Sequence, residues 1–403
     1  MSGAGGAGGA EHGHGAVRLT ASGVRVLVAA VVLVGVGYAL AWPALVVLGV
    51  GAGLALVAAV VLLATGPRVE LSREVFPDRV TRGEVAVGMV TARHAAGRGA
   101  AWLSAADRFT LRGRSRPVPV TLPRLGRGGR SETGYPLPTD RRGVATIGPL
   151  LADQTDPLGL VRRRQRVGGE LTLRVHPRTH PVQLRSASRS RDREEGGAET
   201  VLAGSVTFHR LREYAPGDDL RRIHWRSSAR ANTLMVRQNV DVTRPEVTVA
   251  LVTELAAYPD ETLFEEAVEA AAAVLMAAGR ARVPARLVTG DGPLAGGRGG
   301  GADPRAAMDE LAGVEPTAGG GLPALADRMA AVPRNGFLVV ACGSLSPADR
   351  AAARRLAAGY RPAVLASFTA SPAATTATGG LTLLETATAA DFCRQWTHRR
   401  GTP

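Results

Sequence analysis

Between residues 24 and 65 the chain carries one charged side chain, Arg25. A stretch so poor in charge has few places to go. Residues 26–42 and 44–64 are each long enough to cross roughly 30 Å of hydrocarbon at about 1.5 Å per residue. Pro43 separates them, with Trp42 beside it and Tyr38 close by. Both aromatics suit the headgroup level of a bilayer. The pattern predicts a transmembrane helical hairpin over residues 24–65. A single buried helix of that length is too long for domains of this size. A signal peptide is the other rival, but the run ends Val61-Leu62-Leu63-Ala64-Thr65 without an Ala-x-Ala-like cleavage site. Two spans split by Pro also fit one apolar core segment poorly. Arg18 and Arg25 lie near the start of the hairpin, and Arg68, Arg73, Arg79 and Arg82 follow it. Positive charge on both flanks puts both ends, and the soluble domains, in the cytoplasm of a two-span cell-membrane protein.

Residues 1–22 then form a cytoplasmic tail. It is rich in Gly and Ala and reads as disordered. His12 and His14 have no framework there to hold a metal.

The whole chain, 403 residues, has room for two or three domains. All of its 49 basic residues are Arg, and the net charge is +14. Exclusive use of Arg looks like codon bias, so the charge does not by itself imply a nucleic-acid partner. Aromatics are only 4%, so the cores must be built from Ala, Val and Leu. The two cysteines, Cys342 and Cys393, lack metal-ligand spacing and fit a reducing compartment.

Residues 67–182 read as a β-rich, sandwich-like domain of short strands. Apolar and polar residues alternate over 85–91, 118–122 and 171–175, with Gly and Pro between the runs. Within it, Asp156-Pro157-Leu158-Gly159-Leu160 reads as a turn in which Asp156 caps and Leu158 and Leu160 are buried. A docking loop is the alternative. Residues 183–204 are polar and of mixed charge, and read as a flexible loop. From residue 246 to 400, strand and helix patterns alternate, which implies a parallel sheet covered on both faces. Asp260 is the expected cap of the first helix in that run.

Between these domains, residues 205–245 hold the densest run of non-interchangeable residue types. Over 211–230 the sequence is LREYAPGDDLRRIHWRSSAR. Pro216-Gly217 marks a turn. Asp218 stands where a helix N-cap is expected, with Asp219 in the first turn, where the dipole favours an acid. The reading is a helix over 219–229 followed by a strand over 233–240. Ile223 and Trp225 are expected in the core.

The spacing of Arg212, Tyr214, Pro216, Gly217, Asp218, Asp219, Arg221, Ile223, Trp225, Ser228, Ala229 and Arg230 resembles the signature of the bacterial "domain of unknown function 58" family. Arg141-Arg142-Gly143, the 156–160 turn and His176-Pro177-Arg178 follow in the order of that family's smaller motifs. The resemblance implies a von Willebrand factor type A-like fold for residues 246–400. It also implies a partnership with a MoxR-type AAA+ ATPase, whose gene commonly sits beside members of the family.

Several chemistries fit the residues poorly. Type A-like domains often hold a metal through Asp-x-Ser-x-Ser after the first strand; here Thr253, Leu255 and Ala257 occupy those places, and the shifted frame gives Glu254, Ala256 and Tyr258. Neither supplies enough oxygen ligands. The Gly-rich run 296–301 lacks the Lys-Ser/Thr of a P-loop and reads as a surface loop. His224 and Ser228 share a helix face, but no oxyanion turn accompanies them. The expectation is therefore no metal, no cofactor and no catalytic residue. The signature residues Arg212, Tyr214, Gly217, Asp218, Asp219, Arg221, Arg222, His224, Trp225, Arg226 and Arg230 then form either a packing and ion-pair staple or a recognition surface. The reading is a membrane-anchored adaptor or scaffold, not an enzyme, whose partners are the bilayer, the ATPase and a protein client involved in envelope assembly or maturation. The rival class is an enzyme or anionic-ligand sensor built on the Asp/His/Arg cluster.

Overall fold

A computed structural model describes residues 17–96, 103–184, 208–215, 218, 220, 223–240, 246–290, 303–332, 336–360, 362–372, 376–378 and 380–399. The expected tail over residues 1–16, most of the 183–204 loop and the 296–301 Gly-rich run lie outside these residues. The chain folds as two compact units, residues 1–178 with 311–313, and residues 179–310 with 314–403.

The first unit opens with a short strand, β1 (Val17–Leu19), which leads through Thr20 into α1 (Ala21–Ala39). A break at residues 40–42 precedes α2 (Pro43–Thr65), and Pro43 takes the first-turn position that its missing N–H allows. The helices run back against one another where Gly37 meets Val46 and Gly49 meets Val34 and Ala30. A Cβ at either glycine would overlap the facing helix, so small residues set the close approach. Elsewhere the helices expose Val, Leu and Ala outward. Both are long and apolar enough to cross a membrane, and little of either apolar window is buried in the protein. A soluble core helix would bury far more.

Ten strands follow: β2 (Arg68–Phe76), β3 (Arg79–Thr81), β4 (Ala86–Ala96), β5 (Leu103–Leu111), β6 (Arg114–Val120), β7 (Arg130–Leu137), β8 (Gly143–Ile147), β9 (Leu150–Thr155), β10 (Val161–Val167) and β11 (Leu171–His176). They make two sheets. One has the order β2-β4-β7; the other runs β1-β10-β9-β5-β8-β11-β3, with β6 beside β5. Their alternating apolar residues share one core: Leu71, Val90 and Leu137 from the first sheet join Phe109, Ile147, Leu150 and Leu173 from the second. A buried polar cluster also spans the two sheets. Arg73 pairs with Asp107 at 2.8 Å, and Tyr135 donates its hydroxyl to the same carboxylate.

The 156–160 turn departs from expectation at one position. Asp156 does cap it, accepting the amides of Leu158 (2.9 Å) and Val161 (2.7 Å), and Leu160 is buried. Leu158, however, is 66% exposed. Gly159, at φ +66°, turns the chain so that Leu158 points out at the tip.

In the second unit, β12 (Phe208–Glu213) and β13 (Met235–Val240) pair as an antiparallel ribbon, with the short helix α3 (Trp225–Ala231) between them. The rest is an α/β layer: β14 (Glu246–Leu251), α4 (Glu261–Arg280), β15 (Ala285–Thr289), α5 (Pro304–Gly313), α6 (Leu322–Met329), β16 (Gly336–Cys342), α7 (Pro347–Ala357), β17 (Ala363–Phe368), β18 (Thr376–Thr378), β19 (Leu381–Thr386) and α8 (Ala389–Arg399). The sheet order is β15-β14-β16-β17-β19-β18, parallel except for β18 at the edge. The chain moves from β14 to one neighbour, then returns past it to β16, so right-handed crossovers place α4 on the opposite face from α6 and α7. The strands are buried on both sides, as continuous apolar runs require. Asp260 accepts the Leu263 amide at 2.9 Å and starts α4 as its residue type dictates.

Candidate functional site: the signature segment

The signature residues sit on and between β12 and β13. Arg212 lies in β12, paired in register with Val236. Tyr214 leaves that strand and donates its amide to the Leu234 carbonyl at 2.7 Å. The Asp218 carboxylate accepts the Ala215 amide at 3.0 Å, while its own amide donates to the Ala215 carbonyl at 3.1 Å, so Asp218 closes a tight turn. Gly217, Asp219, Arg221 and Arg222 lie outside the described residues.

The helix α3 runs Trp225–Ala231, and Leu220, within the expected 219–229 range, lies in a 3₁₀ turn before it. Ile223 forms a bridge with Val236, on the side of β13 away from β12. That pairing holds residue 223 extended, so α3 starts only after it. His224 is the cap. Its Nδ1 accepts the Ser227 amide at 3.2 Å and lies 2.9 Å from the Ser227 hydroxyl. An Nδ1 that accepts an amide has no proton, so the neutral ring carries its hydrogen on Nε2. Asn232, at φ +53°, ends the helix in the left-handed conformation that Asn tolerates.

Ser228 holds this helix to the ribbon. Its hydroxyl donates to the His224 carbonyl at 3.1 Å and accepts the Met235 amide at 2.8 Å. His224 closes the loop by donating its amide to Met235 at 2.8 Å. Ser228, Ile223 and Val236 are all buried. His224 and Ser228 do meet, but through the histidine carbonyl, not the ring.

Trp225 overturns its expected place in the core. It is 68% exposed, with Leu220 (61%) and Leu234 (43%) also open to solvent. The reason is positional: Trp225 is the first residue of a helix whose buried face is set by Ser228, so its side chain falls on the outer side. Arg226 and Arg230 are exposed as well, and Arg230 stands in the last turn, where the helix dipole favours a cation. Sequence reasoning missed Ser228 as the stitch; the only local hint is a hydroxyl in a helix, where it has low propensity.

The other place where an α/β sheet commonly binds ligands is the switch point between β14 and β16, beyond the strand ends. Here the chain itself fills that position. A 3₁₀ turn, Leu255–Ala257, packs on Gly343, and Ser344 donates its amide to the Ala257 carbonyl at 2.7 Å. Thr253 is buried next to it, its hydroxyl 3.2 Å from that of Thr317.

Residues 210–379 match the family described as "Protein of unknown function DUF58", a range that takes in most of the signature and much of the parallel sheet. No curated protein matches the chain. Among solved structures, an alkylpurine DNA glycosylase from Pseudomonas fluorescens bound to abasic-site DNA aligns at 17% identity and TM-score 0.21, over 28% of this chain and 32% of its own. A putative ApaA protein from Bordetella pertussis aligns at 19% identity and TM-score 0.21, over 28% of this chain and 98% of its own. The CARDB domain of a Pyrococcus furiosus protein gives 14% identity and TM-score 0.17, over 28% and 94%. This chain thus spans about a third of the glycosylase.

Proposed function

We propose that this protein is a membrane-anchored adaptor of the DUF58 family. The α1–α2 hairpin crosses the membrane with both ends in the cytoplasm, and the signature segment docks a protein partner, a MoxR-type AAA+ ATPase, during assembly or maturation of envelope proteins. The observation that carries the docking role is Trp225: a large aromatic side chain exposed beside Arg226, on a helix that Ser228 and Ile223 fix from beneath. Trp and Arg on a rigid support are the residue types that dominate interface hot spots. Burying Trp225 against a partner recovers apolar area that the free protein leaves in water. The match over 210–379 supports the family, and the outward-facing apolar helices support the anchor. A von Willebrand factor type A-like character for residues 246–400 belongs to the same proposal, supported by the parallel sheet of β14–β19.

The rival reading, catalysis or anion sensing by the Asp/His/Arg cluster, has less support. The groups it needs are already engaged: Asp218 in its turn, His224 Nδ1 in the cap and Ser228 in the stitch.

The test uses the full chain in nanodiscs and a purified MoxR-type ATPase from the same genome. Trp225→Ala and Arg226→Ala should each weaken capture by roughly tenfold or more, the scale of a hot-spot truncation. Unchanged capture by both variants, with their melting curves also unchanged, would remove the signature segment as the docking surface.

A further inference from the structure

The 156–160 turn sits against the base of the helical hairpin, and its tip is apolar. Thr20, the cap of α1, donates its amide to the Leu160 carbonyl at 2.9 Å, and its hydroxyl reaches the Gly159 carbonyl at 2.6 Å. Gly23, in the first turn of α1, lies so close to Leu160 that a Cβ there would strike its carbonyl. Leu160 and Val161 form a small core with Ala59 and Leu63 of α2, and Val26 and Leu56 pack on it. Ala59 and Leu63 stand six and two residue steps before Thr65, which is ~9 and ~3 Å along the helix axis. The turn therefore flanks the last turns of α2 and the first of α1. With α2 close in length to the thickness of a bilayer core, that position falls where hydrocarbon gives way to headgroups.

The turn is also built for such a place. The amides of Leu158, Gly159 and Val161 all donate to Asp156, and the Gly159 and Leu160 carbonyls accept from Thr20. Backbone groups satisfied within the protein can enter a low-dielectric layer without an unpaired donor or acceptor. Leu158 then projects at the tip, 66% exposed. Arg18, Arg25 and Arg68 are exposed at the same base of the hairpin. Arginines there suit anionic headgroups.

We infer that this turn is a second membrane contact: Leu158 enters the interfacial layer beside the hairpin, and the arginines at the hairpin's base rest on anionic headgroups. The inference rests on the membrane-spanning reading of α1 and α2. It makes the β-rich unit a body held on the bilayer surface at two points, which limits its tilt on the anchor.

The experiment attaches an environment-sensitive fluorophore to Leu158→Cys and, separately, to Val32→Cys in the middle of α1. Cys342 and Cys393 are buried, and labelled wild-type protein sets their background. The full chain is reconstituted in phosphatidylcholine–phosphatidylglycerol vesicles carrying lipid spin labels at shallow or deep positions, or is exposed to aqueous iodide. A shallow lipid label should quench the Leu158 probe by roughly twofold, with little quenching by iodide, as expected for an interfacial side chain. A deep label should quench the Val32 probe. If the Val32 probe responds and the Leu158 probe is quenched by iodide alone, the inference falls while the hairpin stands. If lipid labels do not quench the Val32 probe, the spanning reading falls, and the inference with it.

Discussion

Thr20 places its hydroxyl 2.6 Å from the carbonyl oxygen of Gly159, across 139 positions of sequence. The Thr20 hydroxyl oxygen also accepts the Gly23 amide at 3.0 Å, so one side chain both starts the first apolar helix and ties it to the β-rich unit. Strand β1 adds to the tie by pairing Leu19 with Val161.

Thr20→Ala should therefore cost more than a free helix cap. Losing the cap alone costs about 0.5–2 kcal/mol, and the Gly159 contact goes with it. Thermal unfolding in detergent should show a lower midpoint for Thr20→Ala and near-normal behaviour for Thr20→Ser, which keeps the hydroxyl. Equal midpoints for all three proteins would mean that the tie contributes nothing.

Trp225 and Ile223 are two positions apart and should respond oppositely to truncation. Trp225 is exposed, so Trp225→Ala should change stability by no more than about 0.5 kcal/mol. Ile223 is buried against Val236, and Ile223→Ala should cost about 2–5 kcal/mol. Urea unfolding followed by circular dichroism separates them. A large loss for Trp225→Ala would place its ring in a core after all.

The Arg73–Asp107 pair is buried on both sides, and Tyr135 donates to the same carboxylate. Burial, then the Asp107 carboxylate, push the Tyr135 phenol up, which favours the protonated form that donates to Asp107. Asp107→Asn should cost about 3–5 kcal/mol, because it leaves the Arg73 charge buried without its counter-ion. Arg73→Met combined with Asp107→Asn should recover part of that loss. A double variant no better than Asp107→Asn alone would show that the charge is not the cause.

Burial pushes the Cys393 thiol up to about 12, and burial followed by the Asp349 charge pushes Cys342 up as well. A thiol that ionises near 9.0 when unfolded and near 12 when folded holds its full stabilising contribution below about pH 9. That contribution is lost as the pH rises toward the folded value. Native protein at neutral pH should leave both thiols unreactive to a disulfide reagent until urea is added. Stability should fall between pH 9 and 12, and Cys393→Ala should make that fall shallower. Rapid labelling of native protein at neutral pH would contradict the burial of these thiols.

Some of this architecture can be read residue by residue. The break at Pro43 follows from the missing N–H of proline. The start of α4 follows from Asp260, and the strand at Ala363–Phe368 falls where an apolar run of strand length stands. In each case the controlling chemistry is local: a cap, a fixed φ, a short apolar run. Strands β12 and β19 do not announce themselves this way. FHRLRE and LTLLET lack clean alternation, and each becomes a strand because a partner strand supplies its hydrogen bonds.

The signature segment shows where local reading stops. Its composition marks it as unusual, and its residue types narrow it to a staple or a recognition surface. Trp225 nevertheless stands elsewhere than its residue type places it. The bridge from Ile223 to Val236 sets where α3 starts, His224 takes the cap, and the Ser228 hydrogen bond to Met235 decides which face turns inward. Leu158 and Leu160 differ in the same way: both are leucines in one turn, yet one is buried on the hairpin and the other faces out. Sequence alone determined the apolar helices, the Asp260 cap and the alternation of elements, because those depend on neighbours within a few residues. Only the tertiary structure decided which large apolar side chains are left exposed, because burial depends on what the distant chain brings against them.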